Sequence, residues 1–266
     1  MALRSALWTV MTGAAQKAAR ALKRDFGEIE QLQVSQKGPS DFVSAADLRA
    51  EKVLRLELAK ARPRFGFLME EGGEITGEDP HHRWIIDPID GTTNFLHGIP
   101  HFAISIGLEM DGEIIAGLVF NPITDEMYYA EKGKGAFLND KRLRVSARSS
   151  LTDCVIATGI PFHGRPGHKP FLKQLERVMG AVAGVRRMGT ASLDLAYVAA
   201  GRCDGFWESG LQPWDIAAGI LLVREAGGFI TELDGGKNVL DSGHVVAANP
   251  KLHKQLLDLL AAATAS

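Results

Sequence analysis

The stretch Trp84-Ile85-Ile86-Asp87-Pro88-Ile89-Asp90-Gly91-Thr92-Thr93-Asn94-Phe95 decides how this chain is read. Residues 83–86 form a short apolar strand, and Asp87 ends it. Pro88 fixes φ, which predicts a tight turn bringing Asp90 back towards Asp87. Gly91 allows backbone to approach a ligand closely, and the amides of Gly91, Thr92 and Thr93 can open a short helix. Such an opening suits a phosphate group. Two carboxylates beside an anion site are compatible only if cations lie between them. The plainer reading, a simple turn, strands two acids directly after an apolar run.

Further acids lie on either side of this stretch. Glu70-Glu71 end another apolar strand, residues 66–69, and Asp215 follows Pro213-Trp214 at the start of a helix. These ligands are all oxygen, with no His or Cys beside them, which favours Mg²⁺ or Mn²⁺ over zinc. Two such ions bridging a phosphoryl group could activate a water and neutralise the leaving oxygen. Each acid also has an ordinary reading. Asp215 in a first helical turn is favourable through the helix dipole alone, Asp47 suits an N3 capping role, and Glu70-Glu71 could be a solvated strand end.

Composition bounds the remaining choices. The chain has 266 residues, with 30 basic and 32 acidic side chains, a net charge of −2, 45% hydrophobic and 23% charged residues. A near-neutral chain lacks the basic excess of a phosphate-backbone binder, so no direct nucleic-acid binding is expected. No run approaches the roughly 18 apolar residues of a membrane span. Cys154 and Cys203 are far apart and read as reduced, buried thiols, and the eight histidines form no zinc-spaced set. The expectation is a soluble, cytoplasmic globular protein. Leu3, Leu7, Val10, Ala14 and Ala18 recur at helical spacing, so the N-terminus reads as an amphipathic helix ending near Phe26-Gly27 rather than as a leader.

The pattern changes along the chain. Lys37-Gly38-Pro39-Ser40 reads as a turn or mobile loop, and Ser44-Ala45-Ala46-Asp47 as the start of a helix reaching about Ala61. Residues 102–109 and Glu113–Asn121 flank Asp111-Gly112, a strong hairpin signal, and residues 127–130 and 136–138 continue a sheet. The second half alternates. Strands are expected at Val155–Thr158, 185–188, Gly205–Glu208, Phe229–Thr231 and 245–247, and helices at 170–179, 191–200, 214–225 and 250–262. One catalytic domain is expected over residues 1–266, with a helical pair and mainly antiparallel sheet over about 1–145 and an α/β subdomain over 146–266.

The quoted stretch resembles the first signature of the inositol monophosphatase family almost throughout. Trp214-Asp215-Ile216-Ala217-Ala218-Gly219, continuing to Glu225-Ala226-Gly227-Gly228, resembles the second. Weaker similarity runs from Asp41 nearly to the C-terminus, including Gly189-Thr190-Ala191 and Asn249-Pro250. The resemblance implies an α+β fold, a layered αβαβα sandwich of the inositol monophosphatase/fructose-1,6-bisphosphatase type. It further implies two or three Mg²⁺ held by Glu70, Asp87, Asp90, the Ile89 carbonyl and Asp215, with Glu71 as a secondary contributor. Thr92 would lie near the nucleophilic water, polarised by Asp47 or Glu70. The amides of Gly91, Thr92 and Thr93 would hold the phosphate.

Arg186, Gly189, Thr190, Ala191 and Glu208 match positions near the alcohol of the substrate, with Asp215 also bordering it. The segment around Lys37 resembles one that closes over the site and helps a third ion. Met69 and Gly72 depart from the family, which often has Gly and Ser there.

The implied activity is Mg²⁺-dependent, Li⁺-sensitive hydrolysis of myo-inositol monophosphate and related polyol phosphates. The implied substrate is thus a small phosphate monoester. Relatives acting on fructose 1,6-bisphosphate, histidinol phosphate or 3′-phosphoadenosine 5′-phosphate supply the alternative substrates. Some bacterial relatives join transcription antitermination complexes, so transcription factors are a second class of partner. A homodimer is implied, with Arg187 at either the dimer contact or the site.

Overall fold

The computed structural model describes residues 5–28, 34–38 and 41–264. Its central strands carry consecutive apolar residues, such as Trp84-Ile85-Ile86 and Val245-Val246-Ala247, so each sheet buries both faces and helices must cover them. Helix α1 (Ala6–Gly27) starts where the Ser5 side chain accepts from the Trp8 N–H at 3.0 Å, and it packs on α2 (Ala45–Ala61). Between them, β1 (Val34–Gly38) and β2 (Asp41–Ser44) form an antiparallel pair where a turn or mobile loop was expected. Lys37 and Gly38 belong to β1. Pro39, Ser40 and the Lys37 side chain lie outside what is described.

The first large sheet contains β3 (Phe65–Met69), β4 (Gly73–Ile75), β5 (Asp79–Asp90), β6 (Ala103–Met110), β7 (Glu113–Asn121), β8 (Glu126–Glu131), β9 (Gly135–Leu138) and β10 (Lys141–Arg142). Their order is β10-β9-β8-β7-β6-β5-β3-β4, antiparallel except for the parallel β3–β5 pair. The β6–β7 turn has positive φ at both Asp111 (51°) and Gly112 (80°), the conformation that matches the twist of the flanking strands. Helix α3 (Thr92–Leu96) follows β5 directly.

The second sheet contains β11 (Val155–Thr158), β12 (Gly184–Arg186), β13 (Gly205–Glu208), β14 (Phe229–Thr231) and β15 (Val245–Ala248), in the order β12-β11-β13-β15-β14. Its helices are α4 (His168–Met179), α5 (Ala191–Ala199), α6 (Pro213–Glu225), the short α7 (Val239–Ser242) and α8 (His253–Thr264). Helix α8 begins later than the expected residue 250. The Asn249 side-chain oxygen accepts from the amides of Lys251 (2.9 Å) and Leu252 (3.1 Å), which holds that segment in a turn.

Three hydrophobic cores fill the four interfaces between five layers, one of them lining both sides of the middle helices. Trp84, Ile86, Ile104 and Ile106 pack under α1 and α2, whereas Ile85 and Ala103 face the other way, towards α5 and α6. In the second sheet Phe206, Val245 and Ala247 meet α5 and α6, and Trp207, Val246 and Ala248 meet α4 and α8. The arrangement is therefore helices, sheet, helices, sheet, helices, the αβαβα order expected. Helices α5 and α6 are the shared middle layer, and the acidic residues collect at its edge.

Candidate active site

The tight turn expected after Asp87 is instead a bulge within β5. Asp87 pairs with Ser105 and Asp90 with Ala103, so Pro88 and Ile89 oppose the single residue Ile104. Proline has no N–H to give a ladder and is tolerated at such a bulge. Residues three apart on a regular strand face opposite sides. The extra residue restores the parity and turns both Asp87 and Asp90 to one face. The Ile89 amide donates to Asp87 Oδ1 at 2.9 Å, fixing that carboxylate within the bulge.

Asp215 arrives from α6. The Ser105 hydroxyl, opposite Asp87 in register, donates to the Trp214 carbonyl at 3.0 Å and pins the start of the helix. Asp215 caps its own helix by accepting from the Gln212 N–H at 2.8 Å. Asp90 is held from a third direction by the Ser192 N–H at the start of α5, at 2.7 Å. Carboxylate oxygens of Asp87, Asp90 and Asp215 consequently lie within 4.8 Å of one another.

Among the described residues, no lysine or arginine forms an ion pair with these three acids. Burial, followed by the charges of Glu70, Asp90 and Asp215, holds the Asp87 carboxyl far above its usual range. Asp90 is pushed up to about 7 by burial and by Asp215, against the opposing Ser192 hydrogen bonds. Asp215 rises to about 6, chiefly through burial, with the Gln212 amide pulling it down. Hard oxygen donors with excess negative charge suit an oxygen-ligated divalent cation, and this cluster can hold a metal ion.

The neighbouring residues fall into two groups. Thr92 lies beside the cluster, its hydroxyl 3.0 Å from the Ile89 carbonyl and 3.4 Å from Asp47 Oδ1. Asp47 is fully buried in the first turn of α2. Glu70 touches Asp87, and its N–H donates to the Ile86 carbonyl at 3.2 Å. Glu71 donates its N–H to Glu51 Oε2 at 2.8 Å. The two departures there compensate each other. A Cβ on Gly72 would stand 2.8 Å from the Met69 methyl and 2.9 Å from Glu51 Oε1, so Met69 fills the space a larger residue 72 would need.

Gly91 has φ +91°, and a Cβ there would lie 2.5 Å from the Thr190 hydroxyl and 3.2 Å from the His101 carbonyl oxygen, so glycine is required. Thr190 donates its hydroxyl to the His101 carbonyl at 2.9 Å, and Ala191 opens α5 beside it. Thr93 is exposed on α3. Glu208, at the end of β13, leans on the backbone of Gly159. Burial, Asp215 and Asp90 push Glu208 up to about 8, while Arg165 and Arg187 oppose the shift. Arg186 does not join this group, because it is exposed on β12 and its guanidinium donates to the Val185 carbonyl at 3.0 Å. Arg187, with Arg165, acts on Glu208 instead, and its guanidinium lies against Gly189.

Two contributors escaped the sequence reading. The Ser192 donor to Asp90 is a backbone group, which no side-chain pattern encodes. Buried Asn94 donates to the carbonyls of His101 (2.8 Å) and Met188 (2.9 Å), clamping α3 to the segment before α5. Its place inside the quoted signature was the available signal.

Known proteins match along nearly the whole chain. The inositol monophosphatase family profile matches residues 4–265. Inositol-1-monophosphatase of Mesorhizobium japonicum is 61% identical over 254 residues, 96% of each chain. The Nus factor SuhB of Pseudomonas aeruginosa is 44% identical over 248 residues, 92% of each chain. The crystal structure of the extragenic suppressor protein suhB from Bartonella henselae superposes with a TM-score of 0.94 at 60% identity, covering 96% of this chain and 98% of that one. With the acids of both signatures converging in one five-layered fold, the chain belongs to the inositol monophosphatase family of phosphatases.

Proposed function

We propose that the chain hydrolyses myo-inositol monophosphate to inositol and phosphate, with Mg²⁺ held by Glu70, Asp87, Asp90, the Ile89 carbonyl and Asp215. The observation that carries this is the convergence of three acids, with no ion-paired lysine or arginine among the described residues, beside the opening of α3. Bound there, divalent cations would neutralise the phosphate ester, acidify a water and stabilise the leaving oxygen.

The protein's own groups supply the rest. The amides of Gly91, Thr92 and Thr93 orient the phosphate. The Thr92 hydroxyl accepts a hydrogen bond from the attacking water and passes its own proton towards Asp47, while Glu70 offers a second acceptor. Glu208 accepts from substrate hydroxyls, and Gly189, Thr190 and Ala191 border the same alcohol. The first member of the series to test is inositol 1-phosphate. Phosphate release should need Mg²⁺, fall with Li⁺, and drop by more than about 100-fold in Asp90→Asn with the far-UV spectrum unchanged. The asparagine oxygen can still accept from Ser192, so folding is preserved. Activity undiminished by chelator would overturn the reading. A panel adding fructose 1,6-bisphosphate, histidinol phosphate and 3′-phosphoadenosine 5′-phosphate tests the choice of alcohol, and comparable kcat/KM on all four would remove inositol from its privileged place.

Similarity to a Nus factor supports a second reading, membership of a transcription complex through protein contacts. Wild type and Asp90→Asn should then retain the same transcription proteins from cell extract, and retention by neither would end that idea. We further read the protein as a cytoplasmic homodimer, which sedimentation at micromolar concentration tests. Among the described residues no helix is long and apolar enough to cross a membrane.

A further inference from the structure

Charge is spread unevenly over this chain. Helices α1 and α2, the outer layer over the first sheet, carry eight lysines and arginines against four acids. All eight cations are exposed, whereas Asp25, Asp47 and Glu51 are buried. Glu57 is therefore the one acid of these helices that reaches the surface, and Lys17 pairs with it at 2.5 Å. A second pair joins Arg49 to Asp25 at 2.7 Å, so α2 runs antiparallel to α1. This alignment sets Arg20 and Lys23 level with Lys52 and Arg55. Among the described residues none of these four forms an ion pair.

Apolar tips stand among the cations. Leu48 and Leu56 are 55% and 52% exposed. With Lys52 between them they form one row of α2 at a spacing of four, so the leucines lie about 12 Å apart along the axis. Such a row suits few occupants. A second copy of the same face would set arginine and lysine against their like. A protein partner wants a contiguous apolar centre poor in lysine, and Lys52 divides the leucines. A nucleic acid would neutralise the cations but gain nothing from leucine, and neither helix exposes an aromatic ring for a base to stack on. A bilayer rich in anionic lipid uses both features. Its headgroup phosphates draw the cations, and its interface accepts the leucine tips.

We propose that the outer face of α1 and α2 docks the protein reversibly on an anionic membrane surface, through Arg20, Lys23, Lys52 and Arg55 with Leu48 and Leu56 at the lipid boundary. Asp47 points inward from the same helix, towards Thr92, so the docking face and the candidate active site lie on opposite sides of α2. The attachment is separate from whatever ester the site hydrolyses.

Co-sedimentation of the full chain with phosphatidylcholine vesicles, with and without about 30% phosphatidylglycerol, tests it. At about 0.1 M salt wild type should bind the anionic vesicles at least roughly tenfold more tightly than the neutral ones, and it should lose most of that binding at about 0.5 M. The double replacement Arg20→Glu with Lys52→Glu should lower the partition coefficient by roughly tenfold or more. Leu48→Gln with Leu56→Gln keeps every charge and should lower it by roughly fivefold. All six positions are exposed, so melting curves and hydrolysis of inositol 1-phosphate should stay at wild-type levels in both double variants. No preference for anionic vesicles, binding that ignores the charge reversals, or binding unmoved by the leucine replacements would overturn the proposal. Tighter binding of a random-sequence RNA, by wild type and the leucine variant alike, would assign the face to nucleic acid instead.

Discussion

Thr92 has one hydroxyl proton and two acceptors in reach, the Ile89 carbonyl at 3.0 Å and Asp47 Oδ1 at 3.4 Å. The shorter contact wins while the Ile89 oxygen is free to accept. A cation drawing on that oxygen would leave Asp47 as the better acceptor, and the hydroxyl lone pairs would then face the water. Thr92→Val keeps the shape and loses the proton path, so kcat should fall by about 100-fold or more, whereas Thr92→Ser should recover most of it. Single-turnover phosphate release on both variants, with thermal melts to show intact folding, checks this. The pairing was legible only in part. Asp47 looked equally suited to capping α2, and only the approach of α2 to α3 brings it within range of Thr92.

Among the elements, β5 and α6 decide the site. The sequence announced the acids after Ile86, but it placed a turn where a bulge lies, because Pro88 suits both and only the register against β6 separates them. Strands β4 and β10 were not anticipated. Both are short, exposed edge segments with no alternating pattern. The loop between β11 and α4 is rich in glycine and proline and follows no period, so its course could not be foreseen.

Helix α6 sits close on the first sheet through small residues. A Cβ on Gly117 would stand 2.8 Å from the Ala218 carbonyl oxygen and 2.9 Å from its Cα, atoms of a helix backbone that cannot yield cheaply. Gly117→Ala should therefore cost about 1–3 kcal/mol in denaturant unfolding. Gly13, in the middle of α1, has open space around its Cβ position. There the same replacement should stabilise by about 0.5–1 kcal/mol, through helix propensity alone. Opposite signs for one substitution would locate the tight face on α6.

For the whole molecule, a net charge of −2 conceals a concentrated local excess. Asp87, Asp90, Asp215 and Glu208 all have carboxyl pKa values raised on folding, so the native state binds protons that the unfolded chain, with carboxyl values near 4, releases. Metal-free protein should lose stability as pH rises from about 4 through the values of about 6, 7 and 8 of Asp215, Asp90 and Glu208. Melting temperatures in chelator across that range should fall, and millimolar Mg²⁺ should remove most of the decline. A flat profile in chelator would mean that the acids relax apart when empty.

The meeting of β5 with α6 also has a mechanical side. Asp87 and Asp215 are 128 positions apart in sequence, yet their oxygens lie within 4.8 Å. A shared ion would act as a reversible staple across that loop, and ligands that close long loops restrict the unfolded chain most. The bond would be strongest where a protease or solvent deuterium most needs an opening, at the seam between the two sheets. Slowed deuterium uptake at both the Asp87 and Asp215 segments on adding Mg²⁺, with α8 unaffected, would be the signature of a fold whose cofactor also works as its clasp.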